Sequence, residues 1–479
     1  MTLPSFQDFL PWRLGGTRQE SLTAIDAAWL RMDRPTNLMM ICGMMMFADR
    51  VDFQQLKEVL RTRMLCFHRF RQRVVEHDGK AHWETDPHFD LDWHVRRIAL
   101  PDAGSGSALE EVAGDLISTP LDPAKPRWQY HLIEIAGGGS AIVLRIHHCY
   151  GDGFALTHVV SSMTDTAPGQ PQRQVQDVAP PAPRRSAWER IFGPVSETVG
   201  DALRSSLVAV DVGRDLLAHP MHAIDYVKTG TDLAYDAAFM AGMAADSTTR
   251  LKGALGVMKR VAWAAPLSLF EVKALSEALQ CSVNDILVAC AAGALRAYLL
   301  EQGDPVEGIE VRALVPVNMR PPGPLADLGN CFGMVFLDLP IGVDDPVERV
   351  IAVHRRMAAL KHSRQPQVAL GILAGMGVAP ECIKERVLDA LAANASLVIT
   401  NVRGAEQPRY FAGKRIARQM FWVPQSGGIG VGVSILSYAG QVSFGVVTDG
   451  QRVPQPDAIA RRFSDEFETL LLQVLMLPW

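Results

Sequence analysis

The sequence predicts an α/β protein built as two halves, each with a mixed sheet flanked by helices. Three observations point that way. The chain has 479 residues, 48% hydrophobic and 21% charged, enough to bury more than one large core. Short apolar strands alternate with amphipathic helices in both the first and the last third. Between these runs lies a Pro- and Gln-rich stretch, 168–183, that reads as a linker or exposed crossover.

Taken in order, 38–48 is short, apolar and nearly free of charge, the pattern of a buried strand. Residues 53–67 read as an amphipathic helix, and 72–83 as a hairpin around His77-Asp78-Gly79. A second helix is expected at 108–117. Two strands, 128–135 and 140–147, follow, joined by the turn Ala136-Gly137-Gly138-Gly139, and a helix is expected from 153 to about 163. The region 186–250 is Ala-, Met- and Leu-rich and helical in pattern, and could be a lid, a crossover or a surface-binding segment. Helices are expected at 270–280 and 282–300, the second opened by Ser282-Val283-Asn284-Asp285 in the form of a capping box. Strands are expected at 310–317, 334–339, 397–402, 429–436 and 441–447. Three helical stretches fall between 347 and 393, and an amphipathic helix spans 456–475. The resulting division is 1–185, a helical crossover at 186–255, and 256–479.

A net charge of −5 does not suggest a nucleic-acid partner. The seven cysteines, at 42, 66, 149, 281, 290, 331 and 382, form no CxxC pair and are odd in number, which fits a reduced, cytoplasmic protein. The first residues lack a basic start followed by an apolar run, and the 38–48 stretch is too short to span a bilayer. Contact with a membrane is therefore expected from its surface. Within 186–250, Ala187-Trp188-Glu189-Arg190-Ile191-Phe192 mixes aromatics and charges as interfacial helices do, although a helix crossing between domains has the same pattern.

The chemistry is concentrated in His147-His148-Cys149-Tyr150-Gly151-Asp152-Gly153, the pattern HHxxxDG. With this composition it is expected by chance on the order of once in a thousand such chains. It sits where a strand ends and a turn feeds a helix. Strand alternation sends His147 and His148 to opposite faces, so one can meet a substrate while the other is buried; parity alone does not say which. A neutral imidazole can take a proton from an attacking alcohol and return it to a departing thiolate. Asp152, at a helix start, suits a cap better than a base. The same residues also fit two satisfied structural histidines beside a helix cap. His354 and His362 do not supply further ligands at zinc spacing, so no metal is expected. Gly427-Gly428-Ile429-Gly430-Val431-Gly432 leads into strand-like alternation, not into the helix that a phosphate loop requires.

With these residues set out, the chain resembles the bacterial wax ester synthase/diacylglycerol acyltransferases, within the CoA-dependent acyltransferases related to chloramphenicol acetyltransferase. HHCYGDG matches the family's HHxxxDG. Pro126-Arg127-Trp128 is similar to its PLW motif, with Arg in the Leu place, and Asn284-Asp285-Ile286-Leu287-Val288-Ala289 to its NDVVLA motif. Ser21 to Asp26, Asn37 to Met40, Phe70 to Val74 and Trp93-His94-Val95 resemble its N-terminal blocks. Ile399-Thr400-Asn401-Val402-Arg403-Gly404 resembles its TNVPG-type segment.

The resemblance implies two chloramphenicol-acetyltransferase-like domains with an active-site tunnel at their interface. It implies His148 as general base, His147 as its structural neighbour, and Asp152 paired with Arg320 in the segment Val315 to Arg320, followed by Gly329-Asn330. Gly153 supports the turn. Asn284, Thr400 and Asn401 are candidates for substrate binding, the last two as donors to CoA or to the tetrahedral oxyanion. It further implies acyl-CoA as co-substrate with no other cofactor, and diacylglycerol or a long-chain alcohol as acceptor. The expected location is the cytoplasm, peripherally on the inner face of the cell membrane or on a lipid droplet or inclusion. The alternatives are a relative acylating another alcohol or an amine, and a non-catalytic lipid- or CoA-binding protein, which would need no base.

Overall fold

The computed structural model describes residues 20–77, 79–100, 106–169, 242–320, 328–378 and 393–476. The first part runs α1 (Ala24–Met32), β1 (Met40–Phe47), α2 (Phe53–Val59), β2 (Gln72–His77), β3 (Lys80–Thr85), β4 (Val95–Leu100), α3 (Gly106–Ser118), β5 (Trp128–Ile135), β6 (Ser140–His147) and α4 (Gly153–Ser162). The second runs β7 (Lys259–Trp263), α5 (Leu269–Ala278), α6 (Val283–Glu301), β8 (Val311–Asn318), β9 (Phe332–Leu339), α7 (Pro346–Leu360), α8 (Gln365–Val378), β10 (Leu397–Arg403), β11 (Arg418–Trp422), β12 (Val431–Tyr438), β13 (Gln441–Asp449) and α9 (Pro456–Leu475).

Local chemistry sets many of the boundaries. Thr23, Asp52, Asp152 and Asp345 each accept a backbone N–H of the first turn that follows. Ser282 and Asp285 form the reciprocal capping box that the sequence signals at the start of α6. This is the one described helix long and apolar enough to cross a membrane, and 72% of its apolar window is buried as the core of the second half. The helix expected at 53–67 changes pitch: α2 passes into a π turn, Leu60–Met64, and a 3-10 turn at His68–Arg71.

One sheet has the order β11-β1-β6-β5-β4; the other has the path β9-β8-β10-β12-β13-β7, with the short strand Leu267–Ser268 beside β13. Both are mixed: β4 and β5 are parallel, as are β8, β10 and β12, and the other pairs on these paths are antiparallel. The first sheet is completed by β11, a strand from the second half, with Trp422 opposite Cys42 and Arg418 opposite Met46. Two apolar clusters also cross the seam. Met40, Met44 and Val143 pack with Val261, Met420, Trp422 and Val447. Ile25, Trp29 and Met32 pack with Phe332, Leu370 and Leu373. The expected helical segment at 186–255 lies largely outside the described residues, as do Ala187 to Phe192. Its described part, 242–255, is irregular and corrects that expectation there.

Candidate active site

Strand β6 is buried along its whole length and ends at His147; a 3-10 turn, His148–Tyr150, then leads to α4. The two histidines diverge. The Cys149 backbone N–H donates to His147 Nδ1 (3.2 Å), which leaves the proton on Nε2, facing Asp33 Oδ2 at 3.6 Å. That spacing is too long for a direct hydrogen bond. His147 therefore spends its lone pair on closing the turn, and burial pushes its pKa down.

His148 turns into the seam. Its ring stacks on Trp29 at 4.0 Å between centroids and 11° between planes, with Phe332 tilted against it at 5.6 Å. His148 is 5% exposed. Burial pushes its pKa down to about 4, although the Asp152 carboxylate, its own backbone and Asn330 all pull upward. The ring is thus neutral at physiological pH. Asn330 Nδ2 donates to the His148 carbonyl (2.8 Å) and to Asp26 Oδ1 (2.7 Å). A carbonyl can only accept, so this fixes the amide, and Asn330 Oδ1 then faces His148 Nδ1 at 2.8 Å. The proton is therefore on Nδ1, and the lone pair is on Nε2. The two histidines hold opposite tautomers.

Asp152 is buried and fully engaged. Oδ1 accepts the Ala155 N–H that starts α4 (3.0 Å), Oδ2 accepts the Cys331 N–H (2.8 Å), and Arg320 Nη1 reaches both oxygens at 2.6 Å. Arg320 also donates to the Gly329 carbonyl. A carboxylate with this many donors organises a loop and is poorly placed to exchange protons. Asp26 and Asp152, both from the first half, thus hold Arg320 and the short strip 329–331 of the second half beside His148. Gly329 lies in that strip at φ +120°, a conformation L side chains rarely adopt. Gly153 needs no such allowance, and a Cβ built there meets no atom within 4 Å.

Asn284, near the start of α6, accepts from Asn401 Nδ2 at 2.8 Å, and the neighbouring Thr400 hydroxyl is buried with no partner among the described residues. Among the described residues, no hydrogen bond links this group to the His148 ring. Pro126 and Trp128 are structural: Trp128 is fully buried and donates to the Phe70 carbonyl (2.8 Å). A seam cavity of about 20 Å³, bordered by Asn37, Met40, Lys259, Trp422 and Gln425, touches none of the residues around His148 and is the size of a water site. Sequence reasoning assigned no part to Trp29 or Phe332, and it placed Asp26 and Asn330 only within resembling segments.

This fold, with a first sheet that ends in a histidine turn and is completed by a strand from the second half, matches solved acyltransferase and condensation-domain structures. The wax ester synthase/diacylglycerol acyltransferase from Marinobacter aquaeolei VT8 superposes with a TM-score of 0.67 at 21% identity, covering 95% of this chain and 100% of that one. The first condensation domain of the calcium-dependent antibiotic synthetase does so at 0.57 and 16%, covering 97% and 98%. A Mycobacterium tuberculosis (strain ATCC 25618 / H37Rv) protein, the "probable diacylglycerol O-acyltransferase" tgs1, is 26% identical over 466 residues, 94% of this chain and 95% of its own length. Residues 22–287 match the wax ester synthase/diacylglycerol acyltransferase catalytic domain, and 328–471 match the WS/DGAT C-terminal domain. The chain belongs to the wax ester synthase/diacylglycerol acyltransferase family and is an acyltransferase.

Proposed function

We propose that the chain moves a long-chain fatty acyl group from acyl-CoA to the hydroxyl of diacylglycerol or of a long-chain alcohol, with His148 Nε2 as general base. One observation carries this reading: a buried, neutral imidazole whose Nδ1 proton is held by Asn330, leaving the Nε2 lone pair for substrate. Nε2 takes the acceptor's hydroxyl proton as its oxygen attacks the thioester carbonyl. The tetrahedral intermediate collapses with cleavage of the C–S bond, and the imidazolium returns the proton to the CoA thiolate. The products are an ester and free CoA, so two substrates complete the chemistry without a further cofactor. Positioned base help of this kind supplies about 10²–10⁴-fold in rate.

His147 and Asp152 serve this base by shaping its turn, Arg320 by holding Asp152, and Gly153 by keeping clear the space beside the turn. The unpartnered Thr400 hydroxyl suits a donor to the oxyanion or to CoA, and the Asn284–Asn401 pair suits the pantetheine arm. Acceptor and product are poorly water-soluble, which favours a cytoplasmic enzyme held peripherally at a membrane or lipid-inclusion surface.

Product analysis with purified protein, palmitoyl-CoA and a mixture of dioleoylglycerol and hexadecanol tests this reading. Triacylglycerol or wax ester with stoichiometric free CoA is expected. Acylation of an added amine or short alcohol, with neither lipid consumed, would overturn the acceptor assignment.

A further inference from the structure

Three segments far apart in the chain meet at the non-reacting edge of the His148 ring. Asp26 lies in the first helix, His148 in the turn after β6, and Asn330 just before β9. The Asn330 side chain bridges the other two, with its Nδ2 on Asp26 Oδ1 and on the His148 carbonyl and its Oδ1 on His148 Nδ1. The Asn330 backbone N–H also donates to Asp26 Oδ1 (3.3 Å). Asp26 is 5% exposed. Its carboxyl faces the amide that faces the base.

A carboxamide is ambiguous: rotated by half a turn, it would present Nδ2 to the ring. Nδ1 would then have to hold a lone pair, the proton would move to Nε2, and the ring could no longer accept a proton from an alcohol. Two acceptors on Nδ2, the His148 carbonyl and Asp26, oppose that rotation. We propose that Asp26 and Asn330 are positioning residues that lock His148 in the Nδ1–H tautomer, so that the register between the first helix and the strip before β9 determines whether the enzyme holds a competent base. The proposal rests on His148 being the base. It asks of Asp26 only an acceptor oxygen and not a charge, which separates it from electrostatic support of an imidazolium.

The test compares Asp26→Asn, Asp26→Leu, Asn330→Ala and His148→Ala with the full-length enzyme, using palmitoyl-CoA and dioleoylglycerol. Circular dichroism and Tm report folding, and ¹⁵N NMR of histidine-labelled protein reports the tautomer. Asn330→Ala and Asp26→Leu are expected to lower kcat by about 10–100-fold, with KM for palmitoyl-CoA within about twofold of wild type. Asp26→Asn keeps an acceptor and is expected to recover activity to within about fivefold of wild type. Wild-type His148 should show the Nδ1–H pattern, and Asn330→Ala a mixture. Folded Asp26→Leu and Asn330→Ala enzymes with wild-type kcat, beside an inactive His148→Ala, would overturn the lock and leave the base standing. An Asp26→Asn variant as poor as Asp26→Leu, or an Nε2–H tautomer in the wild type, would also overturn it. An active His148→Ala would instead remove the base reading. Should Asp26→Leu not fold, the Asp26→Asn activity and the wild-type tautomer decide.

Discussion

The indole of Trp29 stacks on the His148 ring with 4.0 Å between centroids and within 11° of parallel, so the first helix covers one face of the imidazole. The same helix carries Asp26, which secures the ring's edge through Asn330. One short element therefore sets both the environment and the orientation of the His148 ring.

Trp29 is 6% exposed, and its indole nitrogen has no partner among the described residues, so it acts through packing. Trp29→Phe keeps the stack and sacrifices no hydrogen bond, and should cost less than about 1.5 kcal/mol. Trp29→Ala should cost about 3–5 kcal/mol. By wetting the ring it should also raise the His148 pKa and move the acid limb of the rate profile to higher pH. Urea melts and a pH–rate series check both, and an unmoved limb would contradict the shielding role.

Arg320→Ala leaves the buried Asp152 carboxylate with only its backbone donors and frees the Gly329 carbonyl. A loss of about 3 kcal/mol and a parallel loss of turnover are expected. Lysine cannot hold both oxygens and Gly329 together, so Arg320→Lys should fall between. Wild-type Tm and kcat in Arg320→Ala would remove the ion pair from the account.

Gly153 begins a helix with ordinary φ and open space at its Cβ position, so the fold does not require glycine there. Gly153→Ala should stabilise the helix by about 0.5–1 kcal/mol, and, with the space beside the turn proposed to be kept clear for substrate, reduce kcat/KM. A variant both more stable and fully active would contradict that assignment.

The pH dependence follows from four buried histidines, of which His147 is also pushed down by burial. Burial pushes His94 down to about 4, His131 to about 3 and His148 to about 4, below the ordinary value near 6.5. Below pH 6.5 the unfolded chain takes these protons first, so stability is fully present above pH 6.5 and is lost as pH falls towards 4. His131→Gln should abolish about 2 kcal/mol of the loss between pH 7 and 5. With His148 as the proposed base, activity follows its neutral form, so kcat should stay level from pH 8 to 6 and fall only as pH nears 4. Denaturant titrations and initial rates across that range check both.

Much of this molecule was legible in the sequence. Strands such as 128–135 and 140–147 are apolar runs bounded by turn residues, and the HHxxxDG pattern announced itself at a strand end. The strand Arg418–Trp422 was not legible. It is short, opens with Arg-Gln, and takes its partner from β1, nearly the whole chain away. Asp26 and Asn330 were hidden for the same physical reason: 304 residues separate the two groups, and no local periodicity reports such a bond. The opposite tautomers of His147 and His148 depend on which neighbour donates and which accepts, and two adjacent letters cannot encode that.

The central claim is that the Nε2 lone pair of His148 takes the acceptor's proton. Turnover of palmitoyl-CoA and dioleoylglycerol by His148→Ala, with its fold checked by circular dichroism, tests it most directly. A kcat about 10²–10⁴-fold below wild type at unchanged Tm is the predicted result. Undiminished ester formation by the folded variant would contradict it.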